Sequence, residues 1–273
     1  MSPDGTLAIA GAAIAGWAAE PDAPRPLVVG LCGAQGSGKS TLAAALADRL
    51  NTAGHRTAIL ALDDLYLPAA ERAALARTVH PLLRVRGVPG THDVELGRAL
   101  LDQLAEAGPV ALPRFDKAAD DRGATATVEG PFDIILLEGW CVGAAPQAAA
   151  DLAPPVNALE AESDAGGVWR RHVNAALAGP YRALFGRINR LILLAAPGFE
   201  VVHHWRLQQE EELRARRAEG ASLMDAAAIA VFIQHYERLT RHILAEMPGR
   251  ADLTLYLDPD RRVIRAESKD RSR

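Results

Sequence analysis

Short apolar runs alternate with longer stretches of helical patterning along this chain of 273 residues. The apolar runs predict strands at residues 27–32, 57–62, 132–137, 191–195 and 253–257. Runs that are apolar at successive positions are typical of strands buried on both faces of a sheet. Strands that alternate with helices along a whole chain predict an α/β fold, with a doubly wound, mainly parallel sheet and helices on both faces.

The helices are predicted from apolar residues that recur at helical spacing. One helix begins at Lys39, directly after the first strand, and another covers residues 94–107. A strongly charged helix is predicted over residues 200–219. Ser222, with an acidic residue three positions later, resembles a capping box that opens a further, amphipathic helix before the last strand.

Residues 7–20 are rich in alanine and glycine and resemble the apolar core of a secretory leader. An acidic residue, Asp4, stands where such a leader carries positive charge, so a surface helix is the better prediction. Three prolines then interrupt the chain before the first strand. We therefore expect residues 1–26 to be a helical appendage to one domain over residues 27–273, and no apolar run approaches the length of a membrane span.

The composition is that of a globular protein, with 49% hydrophobic residues and a formal net charge of -4. Charges of both signs are scattered along the chain, which predicts neither a nucleic-acid partner nor binding to a membrane surface. The two cysteines, Cys32 and Cys141, each follow an apolar run. Reduced thiols in a cytoplasmic protein explain this placement better than a disulfide framework does.

The most specific local motif follows the first apolar run and precedes the first long helix. Its glycines allow backbone N–H groups to turn toward phosphates, Lys39 can reach the β- and γ-phosphates, and the Ser40 hydroxyl can bind Mg²⁺. The alternative, a glycine-rich turn that binds nothing, is uncommon in this strand-to-helix context. The predicted nucleotide-binding residues are Gly33, Ala34, Gln35, Gly36, Ser37, Gly38, Lys39, Ser40 and Thr41.

Carboxylates follow two of the other predicted strands. Glu138 ends the run at residues 132–137, the position from which a carboxylate reaches a nucleotide-bound Mg²⁺, although a surface glutamate at a turn is the alternative. Asp63 and Asp64 follow the second strand, and adjacent side chains leave a strand on opposite faces. We favour Asp63 as the group that orients a substrate hydroxyl, and Asp64 as a cap of the next turn.

The charged helix at residues 200–219 has two interpretations. Arg206 and Arg214 can belong to a cationic lid that closes over a triphosphate and excludes water. Both also lie four positions from Glu210, so these charges can simply pair on a solvated helix face. On spacing alone both interpretations stay open.

Seven motifs together resemble the plant and fungal type of D-glycerate 3-kinase, a family related to uridine kinase, phosphoribulokinase and bacterial pantothenate kinase. Their order and spacing agree over roughly residues 27–257, which is far more specific than the phosphate loop alone. The motifs are GAQGSGKST at 33–41, LDDLYL at 62–67, RGVPGTHD at 86–93, PRFDK at 113–117, LEGW at 137–140, WRLQ at 205–208 and YERLT at 236–240.

The resemblance implies the fold of a P-loop kinase, with ATP and Mg²⁺ as co-substrates. It implies that Asp63 stands in the position of the catalytic base and Glu138 in that of the metal-associated carboxylate. It also favours the lid interpretation for Arg206 and Arg214, within a helical lid at about residues 200–220.

The resemblance further implies that loops at about residues 64–122 face the acceptor substrate. Independently of it, the weak periodicity of residues 141–170, with their alanine, proline and acidic residues, predicts a loop-rich insertion. Asp93 is then suited to hold substrate hydroxyls, and a guanidinium fork is suited to hold a carboxylate. One departure is that Ala118-Ala119-Asp120 replaces the family's glycine-containing turn. The predicted substrate-binding residues are Arg86, His92, Asp93, Arg114, Lys117 and Arg122.

The sequence therefore predicts an ATP-dependent small-molecule kinase that phosphorylates a primary hydroxyl, that of D-glycerate. The absence of an Asn-Lys-x-Asp motif disfavours a GTPase. A nucleoside or pantothenate kinase is the alternative in the same class, but few aromatic residues are present to build a nucleoside site. A non-catalytic, ATP-dependent switch protein is the alternative from another class.

Overall fold

The computed structural model describes residues 3–216 and 226–269. Its helices are α1 (Pro3–Ala18), α2 (Lys39–Thr52), α3 (Ala69–Thr78), α4 (Val94–Ala105), α5 (Ala158–Ser163), α6 (Val168–Ala178), α7 (Pro180–Phe185), α8 (Glu200–Arg216) and α9 (Ala226–Glu246). Its strands are β1 (Leu27–Gly33), β2 (Thr57–Ala61), β3 (Gly108–Leu112), β4 (Phe115–Asp116), β5 (Asp121–Arg122), β6 (Ala126–Gly130), β7 (Ile134–Gly139), β8 (Arg190–Ala195), β9 (Leu253–Leu257) and β10 (Val263–Ser268).

The central element is a six-stranded sheet with the order β10-β9-β8-β1-β7-β2. The pairs of β1 with β7 and β8, of β2 with β7 and of β8 with β9 are all parallel, and β10 alone in this sheet pairs antiparallel. The prediction of a mainly parallel α/β sheet is confirmed. Because the chain leaves β1 toward β2 on one side and later returns to β8 on the other, the carboxyl end of β1 lies at the topological switch point where ligands bind in such folds.

Helices cover both faces of the sheet. Alternate residues of β1 point to opposite sides, so Val28 packs with one buried layer and Val29 with the other. The first layer includes residues of α4, α6 and α7, the second includes residues of α1, α2 and α8, and α9 contributes to both. Burial on both faces explains why β1 and β7 are apolar at nearly every position.

Several elements differ from the prediction. A hairpin of β3 with β6 and a two-stranded ribbon of β4 with β5 occupy the acceptor-side segment that the apolar pattern left unassigned. These strands are short or half exposed, so they leave no apolar run in the sequence. The segment at residues 141–170 contains α5 and the start of α6, and it is joined to α9 by the buried pair of Glu160 with Arg238.

The N-terminal helix α1 packs against α2, β9 and β10, and Ala10 and Ile14 are fully buried there. The division of the chain into an appendage at residues 1–26 and a domain at residues 27–273 stays a prediction.

Across the described ranges, no helix is both long enough and apolar enough to cross a membrane. The predicted capping box at Ser222 lies outside the described residues.

Candidate active site

The phosphate loop joins the buried strand β1 to α2 at the carboxyl edge of the sheet. Gly36 and Gly38 have φ angles of +74° and +86°, a left-handed backbone that favours glycine. Gly38 precedes the first residue of α2 and has no side chain to cap it. The first N–H groups of the helix and the positive end of its dipole are therefore directed at a site suited to phosphate.

Helix α8 packs directly on this loop through Trp205, which is fully buried. A Cβ added at Gly36 would lie 2.6 Å from the Cβ of Trp205, so only glycine fits between the loop and the helix. Arg261, in the turn between β9 and β10, donates from Nε to the Gly36 carbonyl and from Nη1 to Gln208 Oε1 at 2.9 Å. The loop, the charged helix and the C-terminal turn thus form one connected unit.

Ser40 and Glu138 are brought together beside the loop. The Ser40 hydroxyl donates to Glu138 Oε1 at 2.8 Å, and Glu138 is 6% exposed at the end of β7. Burial raises the pKa of Glu138, Lys39 opposes that rise and Asp63 adds to it. The described residues contain no group of three or more His, Cys, Asp or Glu side chains that could enclose a metal. A hydroxyl and a carboxylate fit Mg²⁺, which keeps most of its waters and takes few protein oxygens.

Asp63 and Asp64 lie in a single turn of 3₁₀-helix, Leu62–Leu65, immediately after β2. The expectation that they leave a strand on opposite faces is wrong, because β2 ends at Ala61. Asp64 anchors the start of β4: its Oδ1 accepts from the Phe115 N–H at 3.0 Å and its Oδ2 from Arg114 at 2.7 Å.

Asp63 has different partners. Its Oδ1 accepts from the Tyr66 hydroxyl at 2.6 Å and its Oδ2 from Lys117 Nζ at 2.7 Å. Burial raises the pKa of Asp63, but Lys117 and Lys39, together with the two hydrogen bonds, outweigh burial and hold the pKa well below its usual range. Asp63 is therefore an ionised hydrogen-bond acceptor at neutral pH.

Every basic residue predicted to bind substrate is paired with a carboxylate. Lys117 and Arg114 pair with the two aspartates after β2, Arg86 pairs with Asp120, and Arg122 pairs with Asp93 at 2.8 Å. Asp93 also caps α4 by accepting from the Leu96 N–H. Tyr66 connects the group, because its ring lies 4.8 Å from that of His92 and its carbonyl accepts from Arg122. The structure thus brings Lys117, Arg114, Arg122, Asp93 and His92 into one group of contacts with Asp63, Asp64 and Tyr66.

The remaining predicted residue, His92, is buried among aromatic rings. Its Nδ1 is hydrogen-bonded to the Tyr181 hydroxyl, which itself accepts from the Gly90 N–H at 3.1 Å. Burial lowers the pKa of His92 to about 4, although the negative charge of Asp63 opposes this. His92 is therefore neutral near pH 7. Tyr181 was not predicted, because it lies 89 residues away in the chain and no motif points to it.

We expect the buried His92 to make the protein sensitive to acid. Between pH 6.5 and 4 the unfolded imidazole binds a proton that the folded one does not, so stability falls as the pH falls. From pH 7 to pH 5 this amounts to about 2 kcal/mol of unfolding free energy.

Chemical denaturation at the two pH values tests this with His92→Asn, whose side chain can still bond to Tyr181. The variant should lose about 2 kcal/mol less than the parent between pH 7 and pH 5. Equal losses in the two proteins would show that His92 is not the group responsible.

Of the two predicted lid arginines, the structure describes the side chain of only one. Arg206 donates to Gln209 Oε1 at 2.9 Å and lies 5.8 Å from the centre of the Phe232 ring. The side chain of Arg214 lies outside the described residues, as does that of Glu210. The choice between a lid and a solvated helix face therefore remains open in this structure, and the lid stays a prediction.

Comparisons with known proteins agree with this geometry. The family model for the methylmalonyl-CoA mutase-associated GTPase MeaB matches residues 17–70, which include the phosphate loop and its flanking elements. An uncharacterized kinase of Schizosaccharomyces pombe, mug58, is 34% identical over 225 residues, covering 78% of this chain and 79% of the yeast protein.

The chloroplastic D-glycerate 3-kinase of Arabidopsis thaliana is 31% identical over 260 residues, covering 88% of this chain and 54% of the plant protein. The chain therefore spans about half the length of that relative. The solved structure of the YGR205w protein superimposes with a TM-score of 0.78 at 26% identity and covers 97% of both chains. The similarity thus extends well beyond the phosphate loop and includes the acceptor side.

Proposed function

The chain belongs to the D-glycerate 3-kinase family of P-loop kinases, and from that premise we propose that it transfers the γ-phosphoryl of ATP to the primary hydroxyl of D-glycerate. One observation supports the choice of acceptor: the ionised Asp63 pairs with Lys117, and three arginines lie in the acceptor-side segments that contact the same turn of 3₁₀-helix or its neighbours. Such a site suits a small hydroxy acid, because guanidinium and ammonium groups bind a carboxylate while the aspartate accepts from a hydroxyl. The basic residues are Arg86, Arg114, Lys117 and Arg122.

The phosphate side supplies positive charge where the transfer needs it. Lys39 and the N–H groups at the start of α2 are placed to bind the triphosphate. Ser40 and Glu138 are the residues that would hold Mg²⁺, which when bound neutralises charge on the β- and γ-phosphates. These groups favour the transition state because its charge builds up on phosphoryl and leaving-group oxygens.

The acceptor side orients the nucleophile. The C3 hydroxyl oxygen of glycerate forms a bond to the γ-phosphorus while the bond from that phosphorus to the bridging oxygen of ADP breaks. The hydroxyl proton passes to the Asp63 carboxylate, and the products are 3-phosphoglycerate and ADP. A low pKa of Asp63 is compatible with this role, because in a loose transition state the proton leaves late and the carboxylate mainly orients the hydroxyl.

Arg86→Met tests whether a carboxylate is recognised. Arg86 is 26% exposed and stacks 5.4 Å from the centre of the Phe115 ring, and its loss removes a charged partner of the substrate. The KM for D-glycerate should rise about 30-fold or more, because removing one partner of a hydrogen-bonded charge pair typically costs about 2 to 5 kcal/mol. The KM for ATP should change little.

The matched control is Arg98→Met, which removes an arginine that pairs with Glu95 on the exposed face of α4. It should leave both KM values within about twofold of the parent. Glycerol, which has no carboxylate, should be a poor acceptor for the parent and lose little further in Arg86→Met. Equal turnover of glycerol and D-glycerate by the parent would contradict the proposed acceptor.

We also propose that the protein acts in the cytoplasm. Its two cysteines, Cys32 and Cys141, are both buried free thiols, which is typical of a reducing compartment.

A further inference from the structure

Asp120 occupies the turn between β4 and β5 in a backbone conformation that most residues avoid. Its φ is +54°, in the left-handed region, where asparagine and aspartate are tolerated better than other side chains. Its carboxylate contacts two arginines: Oδ1 accepts from Arg86 Nη1, and Oδ2 lies 2.8 Å from Arg72 Nη2. One acidic side chain thus holds two guanidinium groups on the acceptor side.

The two arginines have different roles. Arg72 is 2% exposed and donates to three backbone carbonyls, those of Leu67, Arg84 and Asp120 itself, so its position does not depend on the Asp120 side chain alone. Arg86 has a partly exposed side chain that pairs with Asp120. Its guanidinium stacks on Phe115.

Phe115 links Arg86 to the reacting end of the site. Its ring makes an edge contact with Tyr66 at 4.9 Å, and the Tyr66 hydroxyl donates to Asp63. Two aromatic rings, those of Phe115 and Tyr66, therefore connect Arg86 to the group that would orient the nucleophile. The proposed acceptor would present its hydroxyl to Asp63 and its carboxylate to this guanidinium.

We propose that Asp120 is a specificity-determining residue that competes with the acceptor's carboxylate for Arg86. The inference rests on the proposed function. An anionic acceptor must displace the Asp120 carboxylate from Arg86, whereas a neutral acceptor need not. Displacement is feasible because the Asp120 side chain is 46% exposed and can turn to water while its carbonyl stays on Arg72.

Asp120→Asn tests the competition. Asparagine tolerates the left-handed backbone and keeps the size of the side chain, but it removes the charge and one of the two acceptor oxygens. The KM for D-glycerate should fall about three- to tenfold, the range expected for a partly exposed charge pair. The fall should be confined to KM rather than kcat, and the KM values for ATP and glycerol should not change.

The matched control is Asp121→Asn, which removes the same charge from the neighbouring residue of the ribbon. The carboxylate of Asp121 accepts from the Arg122 backbone N–H and does not contact Arg86. The control should leave the KM for D-glycerate within about twofold of the parent. In the Arg86→Met background, Asp120→Asn should have no effect on the KM for D-glycerate, because the guanidinium for which Asp120 and the substrate compete is absent.

Binding of D-lactate, which is D-glycerate without the C3 hydroxyl, gives a readout that does not need turnover. Calorimetry should find it bound about three- to tenfold more tightly by Asp120→Asn than by the parent. Unchanged affinity would overturn the competition, and weaker binding would show instead that Asp120 positions Arg86. A parent that binds D-lactate more weakly than the variant but does not phosphorylate D-glycerate would overturn the proposed function and leave the competition supported.

Discussion

Lys39→Ala should abolish measurable phosphoryl transfer while the protein stays folded. Lys39 lies at the first position of α2, and its positive charge acts on both Asp63 and Glu138, whose pKa values it lowers. Its removal takes away the group placed to stabilise charge on the β- and γ-phosphates, so kcat should fall by at least about 10²- to 10³-fold. The side chain of Lys39 is only half-buried and is not part of the hydrophobic core. The melting temperature should therefore stay within about 3 °C of the parent.

Lys269→Ala is the matched control for the lost charge. Lys269 follows β10, and its backbone N–H bonds to the Asp252 carbonyl at the edge of the sheet where the parallel strands begin, away from the phosphate loop. This variant should retain parental activity. Full activity in Lys39→Ala would show that this loop does not bind the nucleotide phosphates as proposed, and it would overturn the kinase mechanism.

Asp63→Asn should lower kcat about 10²- to 10⁴-fold, with little change in the KM for ATP. The amide keeps the size of the side chain and still accepts from Tyr66, but it cannot take the hydroxyl proton and no longer pairs with Lys117 as an anion. Steady-state kinetics with ATP and D-glycerate varied separately would show the loss in kcat rather than in the KM for ATP.

Asp64→Asn is the control in the same turn. Its amide oxygen can still accept from the Phe115 N–H, so the ribbon of β4 and β5 stays anchored although the ion pair with Arg114 is lost. Activity should fall less than about tenfold, because an exposed ion pair contributes little. A larger loss of activity in Asp64→Asn than in Asp63→Asn would show that Asp64, and not Asp63, orients the substrate hydroxyl. The assignment of the protein as a kinase would still stand.

The fold was predictable where burial leaves a strong pattern. β1, β7 and β8 are covered on both faces, so their sequences are nearly continuous apolar runs and were found within two residues of their bounds. β10 was missed because, after Val263, its residues are exposed. The buried Arg170 in α6 illustrates another limit, since it donates to the carbonyls of Leu152 and Ala153, and no periodicity reports such contacts.

The site residues that could be predicted from the sequence are those at the carboxyl ends of strands. The phosphate loop and Asp63 follow buried strands, Glu138 lies near the end of another, and the parallel sheet brings them to one edge. Contacts between distant residues were not predictable: Arg261 reaches Gly36 from 225 positions away. The left-handed φ of Asp120 was not predictable either, because no pattern of apolar and polar residues reports it.

The identity of the phosphorylated product decides whether the protein is a D-glycerate 3-kinase. The protein is supplied with ATP, Mg²⁺ and D-glycerate, ADP release is followed by a coupled assay, and the product is identified by phosphorus NMR. We expect one 3-phosphoglycerate for each ADP, and no acceptor-dependent ADP release with D-lactate, which lacks the primary hydroxyl. ADP release that depends on a nucleoside or on pantothenate but not on D-glycerate would contradict it.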